Sequence, residues 1–114
     1  MNFEINIAGN TLTIKIKGDL DDHVTLDLRE NIDYALCKKE IKNLIFDLSE
    51  LTFMDSAGIG LFMGRYKKIS AQNGKCGLVT KDKQIIKILR MSGILSIFDL
   101  FNTLEEGIEK YENR

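Results

Sequence analysis

The sequence predicts a single α/β domain over residues 1–114, built on a mixed, mostly parallel sheet of four to five strands. An N-terminal β-hairpin and about four covering helices complete the expected fold. Two observations lead to this prediction: paired alternating runs at the N-terminus, and short apolar runs that alternate with helical periodicity further on. Strands that alternate with helices require right-handed crossovers, and therefore parallel pairing with helical cover.

Two strands joined by a tight turn are predicted at the N-terminus. Apolar and polar residues alternate strictly over residues 3–7 and again over residues 12–16, and Gly9-Asn10 lies between the two runs. Alternation around a short glycine-containing connection is typical of a β-hairpin with one covered face. We expect the second strand to end at Gly18.

Three further strands are predicted from short apolar runs at residues 44–48, 76–79 and 97–101. The first of these has little polar alternation, so we expect it to be covered on both faces. In such sheets, ligands and partners gather at the carboxyl ends of the strands. The segments that follow the strands, including residues 18–21 after the hairpin, are therefore expected to meet at one edge.

Helices are predicted between these strands. Apolar residues recur at every fourth position over residues 22–39, and Asp21 or Asp22 is placed to cap this first helix. A second helix should run to about residue 72, where Asn73-Gly74 stops it. A third is expected from Thr80 or Asp82 to just before Gly93, and the capping-box pair Thr103 and Glu106 opens the last one.

Composition excludes several classes of function. The formal net charge of -1 shows no excess of either sign, which argues against a nucleic-acid or anionic-membrane partner. No apolar run approaches the roughly 20 residues of a membrane span, and no basic and then apolar N-terminal segment predicts secretion. Cys37 and Cys76 lack the spacing of a metal site. We expect two buried or half-buried, unpaired thiols in a cytoplasmic protein, with neither a metal nor a cofactor.

The segment FMDSAGIG, residues 53–60, raises the question of function most directly. Ser56 stands near a helix start, where it would be a helix cap, a nucleophile or a phosphate acceptor. Gly58 and Gly60 fall in the first turn, where each costs about 1 kcal/mol relative to Ala. Such glycines are accepted where another element or a partner comes close to the backbone. For Gly64, one turn further on, we expect close packing on the sheet.

A nucleophilic Ser56 has little support from its neighbours. A hydrolase elbow carries glycine two residues before the serine, but Met54 stands there. The single histidine, His23, begins the first helix and would have to serve as the base. A nucleotide-binding loop would need Gly-Lys-Ser/Thr or a third glycine in place of Met63. A hydrolase or transferase that uses Ser56 and His23 remains the alternative class.

Phosphorylation of Ser56 would act as a switch without refolding. A helix N-terminus favours the negative charge of a phosphate, whereas a docked apolar or acidic partner would meet about two new charges. A coupling free energy of about 1–3 kcal/mol changes affinity roughly 5–150-fold. Charge added at this one hydroxyl is therefore sufficient to control binding.

Two segments are similar to those of one protein family. Residues 47–60, DLSELTFMDSAGIG, resemble the phosphorylation segment of the anti-sigma factor antagonists, which are single-domain STAS proteins. Residues 18–21, GDLD, resemble that family's Gly-Glu/Asp-Leu-Asp segment, and residues 64–67 and 91–93 fit its sporulation members. The resemblance runs from the hairpin to the last helix. Ala57 stands where some members have a second serine, which leaves Ser56 as the one hydroxyl of the motif.

The resemblance implies a protein that is not an enzyme but the substrate and ligand of one. The implied partner is an anti-sigma factor that is also an ATP-dependent serine kinase. The unphosphorylated form would bind this kinase and release the sporulation sigma factor. Phosphorylation of Ser56 would end the binding, and a serine phosphatase would restore it.

The residues expected to contact the kinase lie in the motif and in the adjacent loop. Asp55 is expected to hold the turn so that Ser56 points outward, while Gly58 and Gly60 let the kinase approach the backbone. Met54 is either an apolar anchor or a core residue, and the loop aspartates are either charged contacts or a solvated face. The complete expected set is Asp19, Asp21, Asp22, Met54, Asp55, Ser56, Ala57, Gly58, Gly60 and Arg65.

Overall fold

The structure is a computed structural model that describes residues 2–113. These residues form five strands, namely β1 (Phe3–Ala8), β2 (Thr11–Leu20), β3 (Asn43–Met54), β4 (Cys76–Val79) and β5 (Asp99–Phe101). The strands lie in one sheet in chain order. β1 pairs with β2 in antiparallel orientation, and the other neighbours are parallel. The predicted mixed sheet with its N-terminal hairpin is confirmed.

Within residues 2–113 the helices are α1 (Asp22–Lys38), α2 (Ser56–Ser70), α3 (Lys83–Ser92) and α4 (Leu104–Glu112), with a 3-10 turn at Ile94–Ser96. The main core contains residues of α1, α2 and α3, and in it the rings of Phe46 and Phe62 lie 4.5 Å apart. A smaller core cluster joins Ile45 of β3 to Tyr111 of α4. Successive strand residues point to opposite faces, so α4 covers one face and the other helices cover the second.

Two strands are longer than their apolar runs predict. β2 does not end at Gly18 but continues to Leu20, since Gly18 adopts a φ of +72° at an irregularity in the pairing with β3. β3 continues beyond residue 48 and pairs Met54 with Leu20. Hydrogen bonds between the paired strands satisfy the backbone N–H and C=O groups of both extensions, even where side chains such as Thr52 face solvent. The apolar pattern alone could not show this pairing.

The helix boundaries agree closely with the expected ones. α1 ends at Lys38, one residue before the predicted end, and α2 ends at Ser70, two residues before it. Asp82 rather than Thr80 caps α3, and Gly93 ends it with a φ of +85°. Thr103 caps α4 by accepting a hydrogen bond from the Glu106 backbone N–H at 3.1 Å. Among residues 2–113, no helix has both the length and the apolar character needed to cross a membrane.

Candidate functional site

Three helix N-termini meet at the carboxyl edge of the parallel strands. Asp21, Asp55 and Asp82 follow β2, β3 and β4 and cap α1, α2 and α3 with their carboxylates. The pairing of β2 with β3 ends at the partners Leu20 and Met54, so Asp21 and Asp55 follow on neighbouring strands. Neighbouring strands lie about 4.8 Å apart, which brings the starts of α1 and α2 side by side.

Ser56 is exposed and is the first residue of α2. The helix cap is Asp55, whose Oδ1 accepts a hydrogen bond from the Ala57 backbone N–H at 2.9 Å. The interpretation of Ser56 as the cap is therefore wrong, because Asp55 already caps the helix. Its hydroxyl lies at the positive end of the helix dipole, where a phosphate would be stabilised by backbone N–H groups.

Acidic side chains surround the Ser56 end of α2. Asp19 is exposed, and its Oδ1 accepts a hydrogen bond from the Thr52 hydroxyl at 3.1 Å. Asp21 is half-buried and accepts hydrogen bonds from two backbone N–H groups at the start of α1, both at 3.1 Å. Asp22, in the first turn of α1, is exposed. A partner that docks at this edge would thus meet carboxylates beside the serine.

Gly58 and Met54 belong to the interior of the motif. Met54 is only 3% exposed and forms part of the main core, so the core interpretation of this residue holds and the anchor interpretation is wrong. A Cβ atom at Gly58 would lie 2.6 Å from Cγ of Met54 and 3.0 Å from Cδ2 of Leu20. The fold itself therefore requires glycine at this position, and the expectation that Gly58 serves a kinase's approach is not needed.

Gly60 and Gly64 have the opposite surroundings. Gly60 is exposed, and a Cβ atom at either position would meet no atom of the described residues within 4 Å, the immediate chain and helix backbone aside. The expected packing of Gly64 on the sheet is therefore wrong. Ala57 is half-buried on the same helix. Nothing in the fold explains why α2 lacks side chains at these two glycines.

Arg65 is buried rather than displayed at the surface. It is 7% exposed, and its Nε lies 3.3 Å from Oδ1 of Asp33 in α1. Burial lowers the pKa of Arg65, while the charge of Asp33 opposes that shift. The side chain therefore lies between the two helices, and the partner-binding role expected of Arg65 stays a prediction.

The structure gives no support to a Ser56 hydrolase. His23 is exposed on the first turn of α1, and Asp21 accepts a hydrogen bond from its backbone N–H at 3.1 Å. Oδ1 of that carboxylate caps the helix, and within residues 2–113 no hydrogen bond holds the imidazole in the orientation that a catalytic triad needs. The site is instead a displayed hydroxyl among acidic neighbours.

The exposed apolar side chains include those of Phe53, Leu26 and Met91, and the first two lie close to the site. Phe53 is 51% exposed as the first residue of the FMDSAGIG segment, Leu26 is 52% exposed on α1, and Met91 is 78% exposed in the last turn of α3, away from the edge at which that helix starts. In the sequence, Met91 is one of several apolar residues of α3, and Phe53 lies in an apolar segment. The apolar periodicity of a helix or strand does not show which of its apolar residues is exposed. That depends on the tertiary packing.

The chain matches the STAS domain over residues 2–107. It is 30% identical over 95 residues to the anti-sigma F factor antagonist of Lysinibacillus sphaericus, covering 82% of this chain and 81% of the relative. Identity to the anti-sigma F factor antagonist of Paenibacillus polymyxa is 27%, covering 98% and 97%. The anti-sigma-B factor antagonist of Bacillus subtilis (strain 168) is 25% identical, covering 96% and 98%.

The solved structures that resemble this chain also include anti-sigma factor antagonists. The anti-sigma factor antagonist SpoIIAA in its unphosphorylated form superposes with a TM-score of 0.88 at 27% identity, covering 98% of this chain and 97% of that one. The phosphorylated form of Bacillus SpoIIAA gives a TM-score of 0.77 at 28% identity, covering 95% and 97%. Anti-sigma factor antagonists are regulators rather than enzymes. The chain therefore belongs to the STAS domain family and, within it, to the anti-sigma factor antagonists.

Proposed function

We propose that this antagonist is switched by phosphorylation of Ser56. The unphosphorylated form binds an anti-sigma factor that is also an ATP-dependent serine kinase, and the sigma factor is released. Transfer of a phosphate to Ser56 ends the binding, and a serine phosphatase restores the active form. All of these steps take place in the cytoplasm, where the kinase has ATP.

The observation that carries the proposal is the position of Ser56. Its side chain is exposed at the first residue of α2, and Asp55 alone supplies the helix cap. The hydroxyl is thus not needed to cap the helix, and it is accessible to a kinase. The solved structure of unphosphorylated SpoIIAA is 27% identical in sequence to this chain. A phosphorylated form of Bacillus SpoIIAA has also been solved.

The local charges explain how one phosphate controls docking. The N–H groups at the start of α2 accommodate the phosphate, so the antagonist stays folded. A partner docked over Ser56 would meet about -1.5 to -2 additional charge beside the exposed carboxylates of Asp19 and Asp22. Repulsion and desolvation then favour dissociation, and a coupling of about 1–3 kcal/mol lowers affinity roughly 5–150-fold.

We further propose that the released factor is the sporulation sigma factor. The relatives with 30% and 27% identity are anti-sigma F factor antagonists, whereas the Bacillus subtilis anti-sigma-B factor antagonist is 25% identical. Both kinds of antagonist share the fold, so the choice depends on the kinase. Binding assays with the anti-sigma F and anti-sigma-B kinases of the source organism separate the two, and we expect tighter binding to the first.

Mass spectrometry of the intact protein tests the switch. We expect the anti-sigma kinase with ATP to add one phosphate to the wild-type chain and none to Ser56→Ala. Ser56→Ala should still bind the kinase, because it removes only the acceptor oxygen. Ser56→Glu should bind at least fivefold more weakly, since it places a negative charge at the same position.

Two controls make this result specific. Ser70→Ala removes a hydroxyl at the other end of α2 and should leave both phosphorylation and binding unchanged. His23→Ala should also have no effect on labelling by a serine-reactive probe, because no hydrolase chemistry is expected. An unchanged mass of the wild-type protein with an active cognate kinase would contradict the proposal.

A further inference from the structure

A groove runs between α1 and α2 and begins near Ser56. We call it the α1–α2 groove; it encloses about 500 Å³, and its walls include Asp22, Leu26 and Arg29 from α1 and Ala57, Gly60 and Gly64 from α2. Both helices follow parallel strands and start at the same edge of the sheet. Asp22 therefore lies at the Ser56 end, and Arg29 lies about 10 Å further along, two helical turns away.

The groove is shallow on the α2 side because two glycines line it. Helical glycine costs stability relative to alanine, and at Gly60 and Gly64 the fold has room for a larger residue. The absence of side chains at these positions therefore serves no contact inside the described chain. Small residues four apart on one helix let another helix backbone come close.

The far end of the groove carries a surplus of positive charge. Arg65 lines the groove and is 7% exposed, yet its Nε and Nη1 have no hydrogen-bond partner among residues 2–113. Asp33 is shared, because its Oδ1 lies 3.3 Å from Nε of Arg65 and 3.2 Å from Nζ of Lys68. The charge of nearby Arg29 also lowers the pKa of Arg65, which adds to the effect of burial. Asp33 thus pairs with two cations, and Arg29 adds a third positive charge near Arg65.

We propose that the α1–α2 groove receives a helix of the anti-sigma kinase, which packs on Gly60 and Gly64 and places a carboxylate over Arg29 and Arg65. This inference rests on the proposed function, since it names the part of the partner that docks beside Ser56. The groove complements a helix because its α2 side lacks side chains at Gly60 and Gly64, and it selects an acidic residue because of its cations. Asp22 repels that residue from the Ser56 end, which sets the direction in which the helix lies.

The test measures binding of the purified anti-sigma kinase, loaded with ADP so that no phosphate is transferred. Gly64→Leu fills the groove, and Arg29→Glu reverses its charge. We expect each to raise Kd at least about tenfold, the scale on which central contacts of an interface act. Binding of the wild-type protein should weaken with rising salt, and this dependence should be less steep for Arg29→Ala.

Matched variants distinguish the loss of groove contacts from a general loss of folding. Lys67→Leu adds the same side chain to α2 at an exposed position outside the groove, and Lys42→Glu makes the same charge change beyond the other edge of the sheet. Both should bind within threefold of the wild type. Gly64→Leu should unfold at a temperature no lower than the wild type, because it replaces glycine in a helix where nothing blocks the new side chain.

The outcomes distinguish this inference from the function on which it rests. Wild-type affinity for both Gly64→Leu and Arg29→Glu, with Ser56 still phosphorylated, overturns the groove and leaves the switch intact. Loss of binding in these variants, without phosphate transfer to wild-type Ser56, supports the groove and overturns the switch. A wild-type protein that does not bind the kinase at all overturns both.

Discussion

Asp55 and Ser56 are adjacent in the chain but act differently at the start of α2. Asp55 satisfies a free backbone N–H of the first turn, while Ser56 is exposed as the first helical residue. This division leaves the hydroxyl available without cost to the helix.

Substitutions at these two positions should separate stability from regulation. We expect Asp55→Ala to lower the free energy of unfolding by about 1 kcal/mol, because the cap is lost. Ser56→Ala should change it by less than about 0.5 kcal/mol, as is usual for an exposed site. Urea denaturation followed by circular dichroism measures both values. Equal losses for the two variants would show that Ser56 has a structural role.

At the scale of elements, α4 both covers one face of the sheet and holds the N-terminal hairpin. The Tyr111 hydroxyl donates a hydrogen bond to Oδ2 of Asp99 at 2.7 Å, and burial raises the pKa of Tyr111. At the end of the helix, the Glu112 carboxylate accepts hydrogen bonds from the Asn10 backbone N–H and the Thr11 hydroxyl. The last helix therefore ties the β1–β2 turn to the opposite end of the chain.

Removal of this link should loosen the hairpin. We expect Glu112→Ala to lower the free energy of unfolding by about 1 kcal/mol, since it leaves a backbone N–H and a hydroxyl without their charged acceptor. Glu109→Ala is the matched control, because its side chain is exposed on the same helix. Amide exchange at Asn10 should also become faster in Glu112→Ala alone. Identical denaturation curves for the two variants would rule out the link.

At the scale of the whole molecule, the two cysteines report on different states of the protein. Cys76 is 2% exposed within the main core, as expected of a buried thiol, whereas Cys37 is exposed on α1, so the expectation that it is covered is wrong. Burial raises the pKa of Cys76 to about 12, with a smaller contribution from the charge of Asp99. The native thiol is therefore both shielded and protonated, so only an opened chain should react.

Alkylation of the native protein should modify Cys37 rapidly and Cys76 only through unfolding, as mass spectrometry can follow.

The raised pKa of Cys76 also predicts a pH dependence of stability. The unfolded thiol, with a pKa near 9, loses its proton before the folded one, so the free energy of unfolding should fall as pH rises from 9 toward 12. This group contributes up to about 1.4 kcal/mol per pH unit.

The variant Cys76→Ala checks the origin of that slope. It cannot titrate at this position, so its stability should decline less steeply than that of the wild type over the same pH range. Both proteins keep Tyr111, whose pKa is raised mainly by burial and by Asp99, and the variant loses only the smaller contribution that the charge of Cys76 makes to it. Equal slopes for the two proteins would show that Cys76 does not contribute.

Much of the fold and the motif could be predicted from the sequence because their signals are local. The alternation over residues 3–7 and 12–16 reflects a hairpin with one covered face, and the predicted caps Asp21, Asp82 and Thr103 act through bonds to residues two or three positions away. The exposed helix start at Ser56 follows from the same kind of local pattern. The proposed role of that serine remains a prediction.

By itself, the sequence determined the order of strands and helices, the family and the position of Ser56, since each depends on residues that are close in the chain. Only the tertiary structure decided that Gly58 is required by Met54 and Leu20, whereas Gly60 and Gly64 face open space. It also decided that Arg65 is buried. The physical reason is that a side chain's surroundings depend on which distant element packs beside it, and no local spacing records that.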